Sequence, residues 1–250
     1  MINNKKYIMP LFLLMAPSWL FAAESKSTEL FNGSFSGSMK FATDYVFRGE
    51  SEVNDSEIPA VQATLTWTHS NGTYAGVFGS TNKFASTPDI YAVIAPYVGK
   101  SGVILDSTIN YNIFVFHYMY PGADSSDYTE LWMKVGKSFG SMQVDLEVTP
   151  TLNDWFGVKG WSGVNYAVHP SNVFDNGVTL SGSIGYQELD GEGAQGWTHW
   201  NVGLSNTIWG LTWDVRYHDT NIDSAHKVYG SPAGLKIFDE RFVFAVSKSF

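Results

Sequence analysis

The chain has 250 residues, no cysteine and a formal net charge of −9. The absence of cysteine excludes a disulfide-stapled scaffold and any cysteine metal site, and the acidic balance argues against nucleic acid as a partner. Aromatic residues make up 16% of the chain, yet the mean hydropathy is only −0.09. This combination is typical of a β-barrel, in which only every second residue meets lipid.

The first predicted element is a secretory signal peptide. Lys5 and Lys6 precede a mostly apolar stretch that continues to Phe21, and the small residues Ala22 and Ala23 follow. The alternative is an N-terminal membrane anchor, but the apolar run is shorter than the roughly twenty residues that a spanning helix needs. We therefore predict a signal peptide over residues 1–22 and one mature barrel domain over residues 23–250.

Alternation of apolar and polar residues predicts about twelve strands after the signal peptide, and helical periodicity is nearly absent. The predicted strands are residues 34–47, 60–69, 73–82, 89–100, 103–119, 128–139, 142–152, 161–169, 178–188, 198–209, 211–220 and 238–250. An even number is the rule for bacterial single-chain barrels. The prediction is an all-β fold, a transmembrane antiparallel up-and-down β-barrel.

The predicted connections are long and short in alternation, with one exception. Tight turns are predicted at Asn71-Gly72, Ser101-Gly102, Gly140 and Gly210, and longer connections lie between them. Residues 170–177 are the exception, because this connection should be short and is not. Alternating connection lengths are expected when all the short turns lie at the periplasmic end of a barrel.

Several short motifs follow one another along the chain. The most specific is Thr-Asp-Tyr-Val-Phe-Arg-Gly at residues 43–49, and weaker ones cover residues 74–80, 120–122, 128–131, 199–205, 210–212 and 246–250. In this order they resemble the motifs of the TorF family of proteobacterial porins. The resemblance implies an outer-membrane barrel with pore activity. Residues 89–99 depart from the family pattern, because Ala95-Pro96 stand where an acidic residue and glycine-rich alternation are expected.

The last predicted strand ends on Phe250, the final residue of the sequence. Phe242, Phe244, Val246 and Phe250 share one apolar face, as expected for a strand that closes a barrel in lipid. A terminal Phe also resembles the usual ending of bacterial outer-membrane proteins. We therefore predict that Phe250 is an assembly signal.

The polar faces of the predicted strands converge inside the barrel and carry charges of both signs. We predict that ten charged residues line the pore: Lys40, Asp44, Arg48, Glu130, Lys134, Asp145, Glu147, Asp214, Arg216 and Arg241. A lumen of about twelve strands is too wide for side chains to fill completely. This favours passive diffusion of small hydrophilic solutes, and the alternative is a salt-bridge network that plugs the lumen. Arg48 is the strongest candidate, because its fork can hold carboxylates or anionic solutes.

No catalytic, cofactor-binding or metal-binding residue is predicted. The glycine-rich stretch 191–196 matches a dinucleotide fingerprint, but a strand pattern follows it where a helix is needed. The histidines do not fall at metal-ligand spacing. A less favoured alternative is an outer-membrane hydrolase that uses His218, although no serine occurs in an elbow motif.

Two further groups of residues are given surface roles. The acidic residues of the first long loop, Glu50, Glu52, Asp55 and Glu57, are expected to be solvated, with divalent bridging to lipopolysaccharide as the alternative. A set of tryptophans is expected in the interfacial girdle: Trp161, Trp197, Trp200, Trp209 and Trp213. The predicted partners are outer-membrane lipid and lipopolysaccharide, the barrel assembly machinery and small hydrophilic solutes, and the predicted location is the bacterial outer membrane.

Overall fold

Antiparallel strands form almost all of the regular structure. The structure is a computed structural model that describes residues 32–84, 90–104 and 107–250. The strands are β1 (Gly33–Ala42), β2 (Val46–Phe47), β3 (Glu50–Ser51), β4 (Ala60–His69), β5 (Thr73–Thr81), β6 (Ala92–Val103), β7 (Ile109–Tyr118), β8 (Tyr128–Phe139), β9 (Met142–Pro150), β10 (Ser162–Val173), β11 (Thr179–Asp190), β12 (Trp197–Ile208), β13 (Leu211–Thr220) and β14 (Arg241–Ser249). One short helix, α1, spans Pro232–Phe238.

Twelve of these strands close into one barrel. β1 pairs with both β4 and β14, and the remaining barrel strands pair with their chain neighbours, so the ring is complete. β2 and β3 form a separate two-stranded hairpin within residues 43–59, the connection from β1 to β4. The predicted all-β, antiparallel, up-and-down barrel of about twelve strands is confirmed.

Three predicted connections were placed wrongly. The tight turn predicted at Ser101-Gly102 lies inside β6, which continues to Val103 and pairs there with β7, and β7 begins only at Ile109. β1 ends at Ala42 instead of residue 47, so Asp44 and Arg48 lie in a loop. β10 continues past Pro170 to Val173, which leaves only residues 174–178 as a turn and restores the alternation of long and short connections. Pro170 has no N–H to donate, and the ladder between β10 and β11 lacks pairs at His169 and Pro170.

Side chains alternate between the two faces of the wall. Large apolar residues such as Phe41, Leu65 and Phe244 are exposed on the outer face, whereas Ser, Thr, Asn and charged residues share the inner face with buried aromatic rings. An apolar outside with a polar inside is the arrangement of a barrel in lipid. We call the end with the longer connections the loop end and the opposite end the turn end.

Phe250 lies at the seam where the barrel closes. Its backbone N–H donates to the carbonyl oxygen of Gly37 at 3.0 Å, and its carbonyl oxygen accepts from the N–H of Gly37 at 2.9 Å. A Cβ on Gly37 would lie 2.6 Å from the Phe250 ring, so the glycine makes room for the ring. The last residue therefore extends the pairing of β14 with β1.

The predicted signal peptide, residues 1–22, lies outside the described residues. Among the described residues, no helix has the length and apolar character needed to cross a membrane.

Candidate functional site

Residues 43–59, here called the inner loop, fold into the barrel at its loop end. The loop is attached to β1 and β4, but the side chain of Arg48 reaches Glu130 on β8 and Gln187 on β11. Four strands separate β8 from β1 on the nearer route around the ring. The inner loop therefore crosses the interior of the barrel.

Arg48 anchors the tip of the inner loop. Its Nη1 and Nη2 donate to Glu130 Oε1 and Oε2 at 2.7 and 3.1 Å, and Nη1 also donates to Gln187 Oε1 at 2.9 Å. The indole N–H of Trp197 donates to the Arg48 carbonyl oxygen at 2.9 Å. Both charged groups are buried, Arg48 at 8% exposed and Glu130 at 0%. A bidentate pair is the geometry that lets two buried charges compensate each other.

Aromatic faces complete the surroundings of Arg48. Its guanidinium carbon lies 4.5 Å from the centre of the Phe47 ring and 5.4 Å from that of Trp132. Cations interact favourably with such ring faces, more strongly when both are desolvated. The loop tip is thus held by ion pairing, hydrogen bonding and stacking together.

Asp44 forms the second anchor, near the root of the inner loop. Its carboxylate accepts hydrogen bonds from the hydroxyls of Ser51 and Ser56 and from Arg241 Nη1 at 2.8 Å. Arg241 begins β14, so this contact ties the loop to the wall beside β1. Asp55 adds contacts to Arg241 at 3.3 Å and to Lys236 of α1 at 3.2 Å.

A cluster of aromatic rings covers the inner loop at the loop end, and we call it the aromatic roof. It consists of Phe84, Tyr120, Tyr128, Trp155, Phe156, Trp197, Tyr229 and Phe238. The ring centroids of Tyr128 and Phe156 lie 4.6 Å apart, and those of Phe84 and Phe156 lie 6.1 Å apart. The prediction that Trp197 belongs to an outer girdle was wrong, because it is 1% exposed and points inward. Trp209 and Trp213 are exposed on the outside, as a girdle requires.

Eight of the ten charged residues predicted to line the pore pair with one another. The ion pairs are Arg48–Glu130, Arg241–Asp44, Lys134–Glu147 at 2.8 Å and Arg216–Asp214 at 3.0 Å. Asp145 accepts from Gln143, whereas the side chain of Lys40 makes no hydrogen bond or ion pair with another described residue. That these residues line a conducting path stays a prediction.

The charges of the inner wall fall into two groups on facing walls. Lys40 lies on β1 and interacts electrostatically with Asp214 and Arg216 on β13. Lys134, Glu147 and His169 form a connected cluster on β8, β9 and β10. Five strands separate β1 from β9 on either route around the ring, so the two groups face each other.

Sequence reasoning missed two features of the inner loop. Glu50 and Glu52 were expected in solvent, but both are buried, at 8% and 2% exposed. Gln187 and Trp197 both hold Arg48, but Gln187 was not singled out and Trp197 was assigned to the girdle. Their position on the inward rows of β11 and β12 is the signal that could have found them. In the described part of the chain no serine hydroxyl bonds to His218, and no group of metal-ligating side chains occurs.

Gly49 allows the tip of the inner loop to pass close to the wall. Its φ is +85°, and a Cβ would lie 2.2 Å from Thr220 Cγ2. We expect Gly49→Ala to destabilise the inserted loop by about 1–3 kcal/mol, so that trypsin cleaves after Arg48 faster than in the unmodified protein. Gly210→Ala is the matched control, because Gly210 has φ +73° but open space around it. Equal cleavage of the two variants would contradict the close approach.

Together, a closed twelve-stranded antiparallel barrel and an apolar outer face define a β-barrel of the membrane-spanning class. Residues 25–250 match the sequence model of a family described as bacterial protein of unknown function (Gcw_chp), and the chain belongs to that family. No curated protein matches the sequence.

Solved porin structures share this fold at low sequence identity. KdgM porin aligns with a TM-score of 0.56 and 10% identity over 86% of this chain and 99% of KdgM. A structure of KdgM porin in complex with disordered oligogalacturonate gives 0.57 and 10% over the same shares. NanC porin gives 0.52 and 10% over 86% of this chain and 98% of NanC.

Proposed function

We propose that this protein is an outer-membrane channel through which small hydrophilic solutes diffuse passively, and that the inner loop narrows its outer mouth. The observation that carries the proposal is the inner loop itself, which crosses the interior of a closed, polar-walled barrel and pairs with the opposite wall through Arg48 and Glu130. A polar inner face is compatible with a water-filled passage beside the loop, and it also occurs in barrels that a loop or helix plugs.

The facing charge groups support a role in solute selection. Solutes that pass between the Lys40–Arg216 wall and the Lys134–Glu147 wall would cross a transverse electric field. Charged groups held in fixed pairs cost little reorganisation when a solute passes, because their positions are already set. In this proposal the protein performs no covalent chemistry.

Export, location and partners belong to the same proposal. A signal peptide over residues 1–22 would direct the chain across the inner membrane, and the assembly machinery would insert it among lipid and lipopolysaccharide. The motif at residues 43–49, which carries the resemblance to TorF-family porins, forms the first half of the inner loop. If that resemblance holds, the family's signature is the part of the chain that enters the barrel.

A plugged structural barrel is the second candidate. The aromatic roof and the two ion pairs of the inner loop, Arg48–Glu130 and Arg241–Asp44, favour it, because they fill space at the loop end. The two candidates differ in one respect that can be measured, since a plugged barrel carries no current even when it is folded.

Single-channel recording of the refolded protein in planar bilayers separates the candidates. We expect discrete conductance steps and, under a salt gradient, a reversal potential that differs from zero. A variant in which residues 47–57 are replaced by a short Gly-Ser link removes the inner loop and is expected to give larger steps. If neither folded protein conducts, the channel proposal fails and the structural reading replaces it. If only the shortened variant conducts, the inner loop is the plug.

A further inference from the structure

The backbone of the inner loop is strained. Seven described residues other than glycine have positive φ, and four of them lie in this loop: Arg48 at 50°, Asn54 at 54°, Asp55 at 60° and Ser56 at 59°. Such conformations persist only where surrounding contacts hold them, and they cluster at sites that switch or bind. The inserted position of the loop therefore depends on its anchors.

Two carboxyl groups of the inner loop are buried without a cation of their own. The Glu50 carboxyl makes no hydrogen bond or ion pair with any described residue, and Arg48 of the same loop is already paired with Glu130. Glu52 Oε2 accepts from Asn82 Nδ2 at 2.7 Å. An isolated carboxylate is costly to bury, and a neutral carboxylic acid is much less so.

The contacts of Glu52 fit the protonated acid better than the carboxylate. Glu52 Oε1 and Asn82 Oδ1 are both buried, and neither has a hydrogen-bond partner among the described residues. Both atoms are acceptors when Glu52 is ionised, so neither can satisfy the other, but a proton on Glu52 Oε1 would supply a donor for the amide oxygen of Asn82. Acid and amide would then exchange two hydrogen bonds.

Burial acts on both carboxyl groups in the same direction. It raises the pKa of Glu50 to about 8, and burial together with the neighbouring Glu50 carboxylate raises the pKa of Glu52 well above its ordinary value. The titratable and charged groups that face the pair are Asp44, Tyr45, Arg48, Tyr120, Tyr128 and Tyr229. Burial raises the pKa of Tyr45, Tyr120 and Tyr229 further above 10, so these phenols stay neutral.

We propose that the inner loop is a proton-controlled plug, which stays inside the barrel while Glu50 and Glu52 are protonated and withdraws toward the loop end when they are ionised. The gating of solute flow by this plug rests on the proposed channel function. The pH-dependent movement of the loop does not depend on it.

The direction of the pH dependence follows from the two states of the carboxyl groups. In the withdrawn loop Glu50 is exposed, with its ordinary pKa of 4.5, whereas in the inserted loop the pKa of Glu50 is about 8. Protonation therefore favours insertion, and this advantage is complete below pH 4.5. Between pH 4.5 and about 8 the ratio of inserted to withdrawn loop falls by up to about tenfold per pH unit for this carboxyl, and it levels off above pH 8.

Labelling of a buried cysteine reports the movement without any need for current. The chain has no native cysteine, and Val53 in the inner loop is 0% exposed. We expect Val53→Cys to react with a methanethiosulfonate reagent at least tenfold faster at pH 8 than at pH 6, after division by the rate of Ser70→Cys. Ser70 lies in an exposed turn at the turn end, so it corrects for thiol ionisation.

Glu50→Gln with Glu52→Gln is the decisive variant. Glutamine keeps the shape of the acid, cannot ionise, and at position 52 can donate to Asn82 while it accepts from Asn82. We expect the double variant to label slowly at every pH. A normalised rate that does not change with pH in the Val53→Cys protein, or a pH response that survives in the double variant, overturns the proposal.

A disulfide across the same contact connects the movement to current. Val53 and Lys83 are partners in an isolated β-bridge, so their Cα atoms lie within disulfide range. We expect Val53→Cys/Lys83→Cys to pass less current than the unmodified protein at pH 8 and to recover after reduction. If labelling responds to pH but no variant conducts, the proposed loop movement stands and the channel proposal fails. If the variant with the closed disulfide passes as much current as the unmodified protein, the plug proposal fails and the channel proposal stands.

Discussion

Arg48→Ala should increase single-channel conductance severalfold and shift the selectivity toward cations. The substitution removes one charge and leaves Glu130, which is fully buried, without its partner. Breaking a buried pair on one side costs about 3–5 kcal/mol, which exceeds what the remaining loop contacts at Asp44 would be expected to supply. The tip of the inner loop should therefore detach, and the freed carboxylate of Glu130 should face the lumen. Reversal potentials under a tenfold salt gradient measure the change in selectivity.

Two control variants separate the effect of charge from the effect of the loop. Arg48→Met combined with Glu130→Leu removes both charges of this ion pair and leaves no unpaired carboxylate at position 130, so it should keep the loop inserted and the conductance low. Lys137→Ala removes a positive charge from the outward row of β8 and should change neither quantity. The barrel strands do not use the Arg48 side chain, so membrane assembly should remain normal in all three proteins. Unchanged selectivity in Arg48→Ala would remove this residue from the constriction.

Period-two alternation predicted the barrel because every strand meets lipid on one side and polar surroundings on the other. The same rule explains why β1 was predicted too long. The pattern continues through Tyr45 and Phe47, whose rings pack inside the barrel against Phe78 and Tyr118. A half-buried hairpin inside a barrel and a strand in its wall produce the same alternation, so the sequence cannot separate them.

Which charged residues pair with each other depends on how the barrel closes. The local alternation of residues along the sequence does not contain that information. Arg48 and Glu130 are 82 positions apart and meet only because the inner loop bends across the barrel. The bend requires positive φ at Arg48 and at Gly49, and an arginine in that conformation gives no sequence signal. Trp197 is different, because it shares its inward row with His199 and Asn201, and that parity was visible in the sequence.

Deletion of Phe250 should lower the amount of folded barrel in the outer membrane by severalfold or more. The seam between β1 and β14 has five residue pairs, from Ser38–Ser249 to Ala42–Ala245, fewer than any other pair of neighbouring barrel strands. Phe250 adds two backbone hydrogen bonds to Gly37 at the end of this seam. Without it, the N–H and C=O of Gly37 face lipid unpaired, which costs several kcal/mol in the absence of water. The heat-modifiable folded band in outer-membrane fractions measures the loss.

Phe250→Ala distinguishes the two contributions of this residue, because it keeps the backbone hydrogen bonds and removes only the ring. If seam closure dominates, Phe250→Ala should assemble well and the deletion poorly. If the assembly machinery recognises the aromatic ring, which is 57% exposed on the outer face, Phe250→Ala and the deletion should lower the amount of folded barrel equally. Gly37→Val adds a third arm, since its side chain would displace the ring while all residues of β14 remain. Normal levels of the deletion variant would refute both roles, because neither the seam nor the terminal ring would then limit assembly.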